Sequence, residues 1–296
     1  MKGLIVTADD FGAAPEVNDA VELAHRNGIL TSASLMVAGP AAADAVTRAR
    51  CMPGLRVGLH LTLLEGRPVL PATQVPDLVD SHGLFRTDMG KFGLDIFTRA
   101  SVRRQVADEL TAQFEAYRST GLPLDHVNAH KHFHVHPTLA GMILRIGARY
   151  GMRAIRVPYE PRATLRAVEP DTRIDFALDT LPWAALLRAR ATASHLSASD
   201  FLFGLRWSGA MTHARLAGLI AHLPEGVSEI YLHPATGAYD GSAPGYRYRD
   251  ELEALCNPEI VALIGQSGVR TGGYADFGKR GSVQMNRLDI QQEVAA

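Results

Sequence analysis

Short apolar runs alternate with segments of helical period along most of the chain, and that alternation restricts the fold more than any other feature. Leu4 to Ala8 reads as a strand. Pro15 to Asn27 reads as the helix after it, with Val17, Ala20, Val21 and Ala24 on one stripe, Pro15 at its start and Gly28 at its stop. Ser32 to Ala38 and an alanine-rich helix near Ala41 to Arg50 repeat the unit, and Arg56 to Leu63 supplies a third strand. A loop-rich stretch from Glu65 to about Gly93 breaks the rhythm, before Val102, Val106, Leu110, Phe114 and Tyr117 restore helical spacing. His126 to His130 forms the next strand and Thr138 to Tyr150 its helix. Ala154 to Val157, Val227 to Leu232 and Val269 to Thr271 read as further strands, with Ala214 to His222 and Glu259 to Ile264 as helices. About seven such repeats predict a parallel α/β fold, a closed or nearly closed (β/α) barrel, with a doubly wound open sheet as the alternative. No composition break marks a linker, so one domain is expected over 1–280, carrying an insertion at 160–210 and followed by a flexible polar tail at 281–296.

With 296 residues, 47% of them hydrophobic and 21% charged, the chain can bury a substantial core. Its formal net charge of −1 is spread over interspersed acidic and basic residues, which argues against nucleic acid as a partner. Cys51 and Cys256 cannot make a disulfide framework and fit a reducing compartment. The apolar run Gly3 to Ala8 is too short for a signal peptide and no stretch reaches membrane-spanning length, so a cytoplasmic location is expected.

Chemistry is most concentrated in HVNAHKHFHVHP, His126 to Pro137, which holds five of the chain's 12 histidines. Neutral imidazole offers a nitrogen lone pair near pH 7, so the run reads as part of a metal site, the alternative being a polar loop. On a strand, His126, Asn128 and His130 share one face. In parallel barrels the reacting groups gather at the C-terminal ends of strands. Asp9 and Asp10 sit just past the first strand, His60 near the end of the third, His130 at the end of the fourth and His233 at the end of the penultimate one. Each alone has a plainer reading: a turn or cap for the Asp pair, a core position for His60, a bare strand end for His233. Their joint placement at one rim favours chemistry.

TADDFG at Thr7 to Gly12, GLHLTLLEGRP at Gly58 to Pro68, the histidine run and YLHPA at Tyr231 to Ala235 together resemble the YdjC-like carbohydrate deacetylases, relatives of the NodB-type polysaccharide deacetylases. The resemblance spans most of the chain. It implies a distorted (β/α) barrel that holds one divalent ion and removes the acetyl group from an N-acetylated sugar, with Asp10, His60 and His130 as metal ligands. Two imidazoles and a carboxylate leave an open position for water, as a catalytic site requires. An ion so held lowers the pKa of that water and polarises the amide carbonyl. By the same analogy Asp9 is the general base and His233 the acid that protonates the departing amine. Zinc or magnesium is the expected ion, with nickel, cobalt or manganese able to enter.

Many relatives carry aspartate where this chain has Asn128, a neutral amide that can orient a ligand or substrate but cannot act as a base. Arg156, Glu65, Asn128 and His134 are the candidates for contact with the sugar or its surroundings, and His132 and His136 read as loop or capping residues. The 181–207 stretch contains both tryptophans, Trp183 and Trp207, with Arg188, Arg190 and Arg206. It reads either as an apolar lid suited to a glycolipid and a membrane surface, or as a pair of core helices. The whole sequence is most similar to the hopanoid-biosynthesis-associated (HpnK-type) branch, which implies an acetylglucosaminyl lipid substrate; peripheral contact with the inner membrane face and a homodimer are further expectations. Two other functions compete: a metal-dependent phosphoesterase, and a non-catalytic sugar-binding protein with a structural ion.

Overall fold

A computed structural model of the chain describes residues 2–172 and 181–278. The tail expected at 281–296 lies outside the described residues, as does part of the 160–210 stretch.

Leu4, Ile5, Val6 and Ala8 are wholly buried, because β1 (Lys2–Phe11) runs through the middle of the sheet. α1 (Pro15–Asn27) covers it with the stripe read from the sequence, Val17, Ala20, Val21 and Ala24. β2 (Ser32–Leu35), α2 (Ala42–Arg50) and β3 (Arg56–Leu61) follow. The second strand stops three residues earlier than expected, at Leu35 rather than Ala38. α3 (Met89–Thr98) occupies the end of the supposed loop stretch, ahead of the 20-residue α4 (Ala100–Ser119).

β4 (Val127–Ala129) is short, and the chain turns at once into a 3-10 segment, His130–Val135, and then into α5 (Pro137–Arg149). α5 begins where Pro137 predicts, and the His136 ring caps it by accepting the Leu139 N–H. Next come α6 (Arg162–Val168), α7 (Leu181–Ala193), β5 (Phe201–Phe203), α8 (His213–Ala221) and β6 (Gly226–Leu232). α9 (Tyr248–Cys256), α10 (Pro258–Ser267), β7 (Arg270–Thr271) and α11 (Tyr274–Phe277) complete the described chain.

The sheet has seven strands in the order β4-β3-β2-β1-β6-β5, with β7 against β1, and every pairing is parallel. β1 lies between β2 and β6, so the early and late parts of the chain meet in mid-sheet. The sheet curls into a distorted half-barrel rather than an open doubly wound sheet. Ala154 to Val157 is not a full strand. It bridges the gap between β4 and β5 through two isolated parallel pairs, Val127 with Ile155 and Ala154 with Ser197.

One face of this sheet is polar. Alternate residues on a strand share a face, and Thr7, Asp9, Ser34, His60, Asn128 and Glu229 meet there through side-chain hydrogen bonds.

Candidate active site

β1 does not end before the acidic pair. It continues through Asp9 and Asp10 to Phe11, and its register against β2 shifts between Ala8 and Phe11. Asp10 sits in this bulge with φ of 63°. The bulge turns two consecutive carboxylates in different directions, Asp9 into the sheet's polar face and Asp10 toward His60 and His130. Gly12, at φ 93°, releases the chain from the bulge. Its N–H donates to Asn18 Oδ1, whose amide in turn binds Ala41 O and Asp44, so α1 and α2 fix the loop behind the acids.

Of the five non-glycine residues with positive φ among the described residues, four surround this point: Asp10, Glu65, Lys131 and His132. Such backbone costs on the order of 1–3 kcal/mol per residue and collects where side chains must be aimed. Here it aims His130, which follows β4, across the rim toward Asp10.

Asp10 Oδ1 lies 3.2 Å from His60 Nε2 and 3.1 Å from His130 Nδ1. Among the described residues, these three form the one group of donors close enough to share a metal ion, all within 4.8 Å of one another. The His60 proton is settled by its other nitrogen: Nδ1 donates to Asn128 Oδ1 at 2.8 Å. Nε2 is then a buried lone pair with no hydrogen-bond partner, facing a carboxylate oxygen. Two acceptors in contact with no donor between them call for a cation. The field agrees. Burial alone would lower the His130 pKa, yet Asp10 and Glu65 push it up to about 10. Asp10, in turn, is held well below the usual carboxylate range, its burial outweighed by the two imidazoles.

Asp9 is 2% exposed and doubly held by Arg156, Nη1 to Oδ2 at 2.5 Å and Nη2 to Oδ1 at 3.0 Å, while Asn128 Nδ2 donates to Oδ1 at 3.1 Å. Burial works against its charge, but the Arg156 guanidinium prevails and holds the carboxyl far below its ordinary range. His233 follows β6. Its N–H donates to Glu251 Oε2 at 2.6 Å, its Nδ1 is buried without a partner, and burial lowers its pKa.

Glu65 sits at the mouth, on the loop after β3. Its Oε2 is 3.4 Å from His130 Nε2 and its other oxygen pairs with Lys131, with the His130 contact foremost in drawing its pKa down to about 2. The loop is pinned from below by a polar stripe on α4. Gln113 takes the Thr62 N–H, Glu109 those of Val69 and Leu70, and Gln105 that of Asp77.

Three of the residues nominated for the sugar or its surroundings are buried beneath the rim. Arg156 is wholly buried, with its donors committed to Asp9 and Glu229, so its planar fork joins two carboxylates beneath the rim. Asn128 is wholly buried between His60, Asp9 and Ser34. His134 is buried under Arg156, whose backbone oxygen lies 3.0 Å from its Nε2. His132, expected as a loop residue, instead lines a cavity beside the site and packs edge-on against Tyr231. The sequence reading missed Glu229, Glu251, Glu160 and Tyr231. A glutamate inside the apolar β6 run, two residues before Tyr231 and four before His233, was the available signal for Glu229.

The cavity, of about 750 Å³, opens between α3, the 130–137 segment and α7. Of the six large hydrophobic residues exposed among the described residues, Met89, Leu94, Phe97 and Trp183 line it. Trp207, by contrast, is buried, and α7 buries Leu181, Ala184, Leu187 and Ala191, so most of the 181–207 stretch packs as core. Arg188 is buried against Ser199 O and Asp200 O and Arg190 binds Pro137 O, so the three arginines do not form one basic face.

A curled parallel sheet with an Asp–His–His group at the C-terminal end of its strands defines a class of α/β barrel built to act on a ligand at that rim. Residues 3–266 match the family model described as YdjC-like protein, and the chain belongs to that family. It is 39% identical over 278 residues to a carbohydrate deacetylase of Brevibacillus brevis, covering 93% of this chain and 99% of that protein. It is 31% identical over 280 residues to one of Geobacillus stearothermophilus (93% and 98% covered), and 31% identical over 305 residues to one of Homo sapiens (93% and 90%). A crystal structure of an Enterococcus faecalis protein described as a cellobiose-phosphate cleavage protein matches with a TM-score of 0.73 at 26% identity, covering 93% of this chain and 98% of that one.

Proposed function

We propose that this chain is a divalent-metal-dependent carbohydrate N-deacetylase whose substrate is the acetylglucosaminyl head group of a hopanoid-type lipid. The observation that carries the chemistry is the buried Asp10 oxygen shared by two imidazole nitrogens, with a second, separately clamped carboxylate next to it in sequence. Deacetylase relatives matched over nearly their full length support the same reaction.

Asp10, His60 and His130 would hold one ion, zinc or magnesium before nickel, cobalt or manganese, and it would supply positive charge to polarise the amide carbonyl and the attacking water. Asp9 is the base. Arg156 keeps it ionised and fixes both its oxygens, and because the same pairing weakens it as a base, it would take a proton only from a water already made more acidic. His233, lowered by burial, gives up a proton readily once it carries one, which suits it to protonate the departing nitrogen. Glu65 and Lys131, paired with each other at the mouth, would bind hydroxyls of the sugar.

The apolar cavity supports the lipid part of the reading. It shares Lys131 and His132 with the rim, so a head group at the metal ligands leaves its aglycone beside Leu94, Phe97 and Trp183. No helix among the described residues is long and apolar enough to cross a membrane. The test is acetate release from an N-acetylglucosaminyl lipid by metal-loaded protein, beside a His130→Ala variant with its metal content measured. Wild type should release acetate, and the variant should lose both metal and rate. Full metal and full rate in His130→Ala would overturn the mechanism.

A further inference from the structure

Beneath His60 runs a chain of buried hydrogen bonds that crosses four strands and has carboxylates at both ends. Asp125 Oδ2 lies 3.1 Å from His126 Nδ1, and His126 Nε2 lies 3.0 Å from Ser34 Oγ. Ser34 Oγ accepts from Asn128 Nδ2 at 2.9 Å, and the same nitrogen donates to Asp9 Oδ1 at 3.1 Å. Asn128 Oδ1 then faces His60 Nδ1. His126, Ser34 and Asn128 are wholly buried, so no solvent can substitute for a missing partner.

The two ends dictate every direction in between, because an ionised carboxylate can only accept. Asp125 is held ionised by His126 and by the Tyr274 and Ala275 N–H groups, against the effect of its burial. It therefore takes the His126 Nδ1 proton and leaves Nε2 as an acceptor. Ser34 must donate to Nε2, so its lone pair is left for the Asn128 amide. Asn128 thus turns its nitrogen to Ser34 and Asp9 and its oxygen to His60.

We propose that Asp125, His126 and Ser34 are positioning residues that, acting with Asp9 through Asn128, lock the proton of His60 on Nδ1 and keep Nε2 open for a cation. An Asn128 amide turned the other way would offer N–H to His60 Nδ1, move the His60 proton to Nε2 and close the site. The backbone makes room for this chain. A Cβ on Gly58 would come within 2.4 Å of the His126 ring, which lies across β3 and stacks on Tyr274 at 4.9 Å. The proposal rests on the metal-site reading above, but its readout does not need a reaction.

The experiment compares wild type with Ser34→Ala, which deletes one oxygen, and His126→Phe, which keeps a stacking ring without its nitrogens. The His60 tautomer is read from imidazole 15N shifts in metal-free protein, and zinc affinity by competition with a chromophoric chelator. Wild type should show His60 as the Nδ1–H form. Both variants should show a mixture with the Nε2–H form and bind zinc about 10-fold or more weakly, the range seen when partners behind metal ligands are removed. Unchanged tautomer in both variants overturns the proposal, even if zinc affinity falls, since the loss would then come from packing. If wild type binds no zinc, the metal reading fails, and the tautomer comparison still decides whether the chain acts on His60.

Discussion

At the scale of single residues, Arg156 shows how burial redirects a side chain that looks like a ligand-binding arginine in the sequence. It is wholly buried between Asp9 and Glu229, and Glu229 also accepts from Thr7 and Tyr274. Removing one partner of a buried charge group leaves the others uncompensated, at a cost of about 3–5 kcal/mol. Arg156→Met should therefore destabilise the protein by that order in urea unfolding. A sugar-contacting arginine at the surface would lose substrate affinity with stability nearly intact, and that result would exclude the buried role. Sequence spacing and resemblance were sufficient to nominate Asp10, His60 and His130, because those residues need only reach a common rim. They could not separate rim from interior, since Asn128, His134 and Arg156 carry the same polar chemistry as surface residues and differ only in what covers them. Ser34 carries no sequence signal and His126 is legible only as part of the histidine run, because the role proposed for them passes through Asn128 to a ligand they do not touch.

At the scale of elements, periodicity read the regular helices well and failed where function bends the chain. α1 begins and ends as the stripe and its flanking Pro15 and Gly28 predict. β1 runs past the apolar stretch Leu4 to Ala8 because the bulge lets Asp9 and Asp10, which a buried strand rarely carries, continue it to Phe11. The loop-rich stretch expected to end near Gly93 overlaps the first half of α3: MGKFGLDIFT carries two glycines, which lower helix propensity, and its Leu94 and Phe97 are 60% and 49% exposed. Those exposed side chains have a use if the groove holds an aglycone. Leu94→Asp should leave folding stability within about 0.5 kcal/mol, as for an exposed position. It should raise KM for a lipid-linked N-acetylated sugar about 10-fold or more, the equivalent of burying one leucine, while kcat/KM on a water-soluble N-acetylated sugar stays the same. Equal loss on both substrates would remove the groove from substrate binding.

At the scale of the whole molecule, the alternating pattern sufficed for a parallel α/β barrel, but not for how the barrel closes. Closure depends on β5, three residues too short to leave a strand signature, and on two isolated bridges at Ala154 and Ile155, where the run expected as a strand pairs only at single residues. It also depends on buried carboxylates that fasten loops to strands: Glu160 takes the N–H groups of Gly204, Leu205 and Arg206, and Glu251 those of Met211 and His233. Burial pushes Glu251 up to about 7 from an ordinary 4.5. Between those values the folded chain keeps a proton that the unfolded chain has released, so the contribution is fully present below about pH 4.5 and is lost as pH rises through 7. Buried His132, His134 and His233, all lowered, act in the opposite sense, because unfolding lets them take up protons below their ordinary 6.5. The wild-type profile is thus a balance, and only a difference isolates one group. Glutamine at 251 cannot titrate, so Glu251→Gln should be at its greatest disadvantage near pH 4.5. It should recover relative to wild type by on the order of 3 kcal/mol by pH 8, since each pKa unit is worth about 1.4 kcal/mol. Urea unfolding of both proteins at pH 5 and pH 8 measures the change, and a difference that stays constant would mean that the N–H groups of Met211 and His233 keep Glu251 ionised throughout.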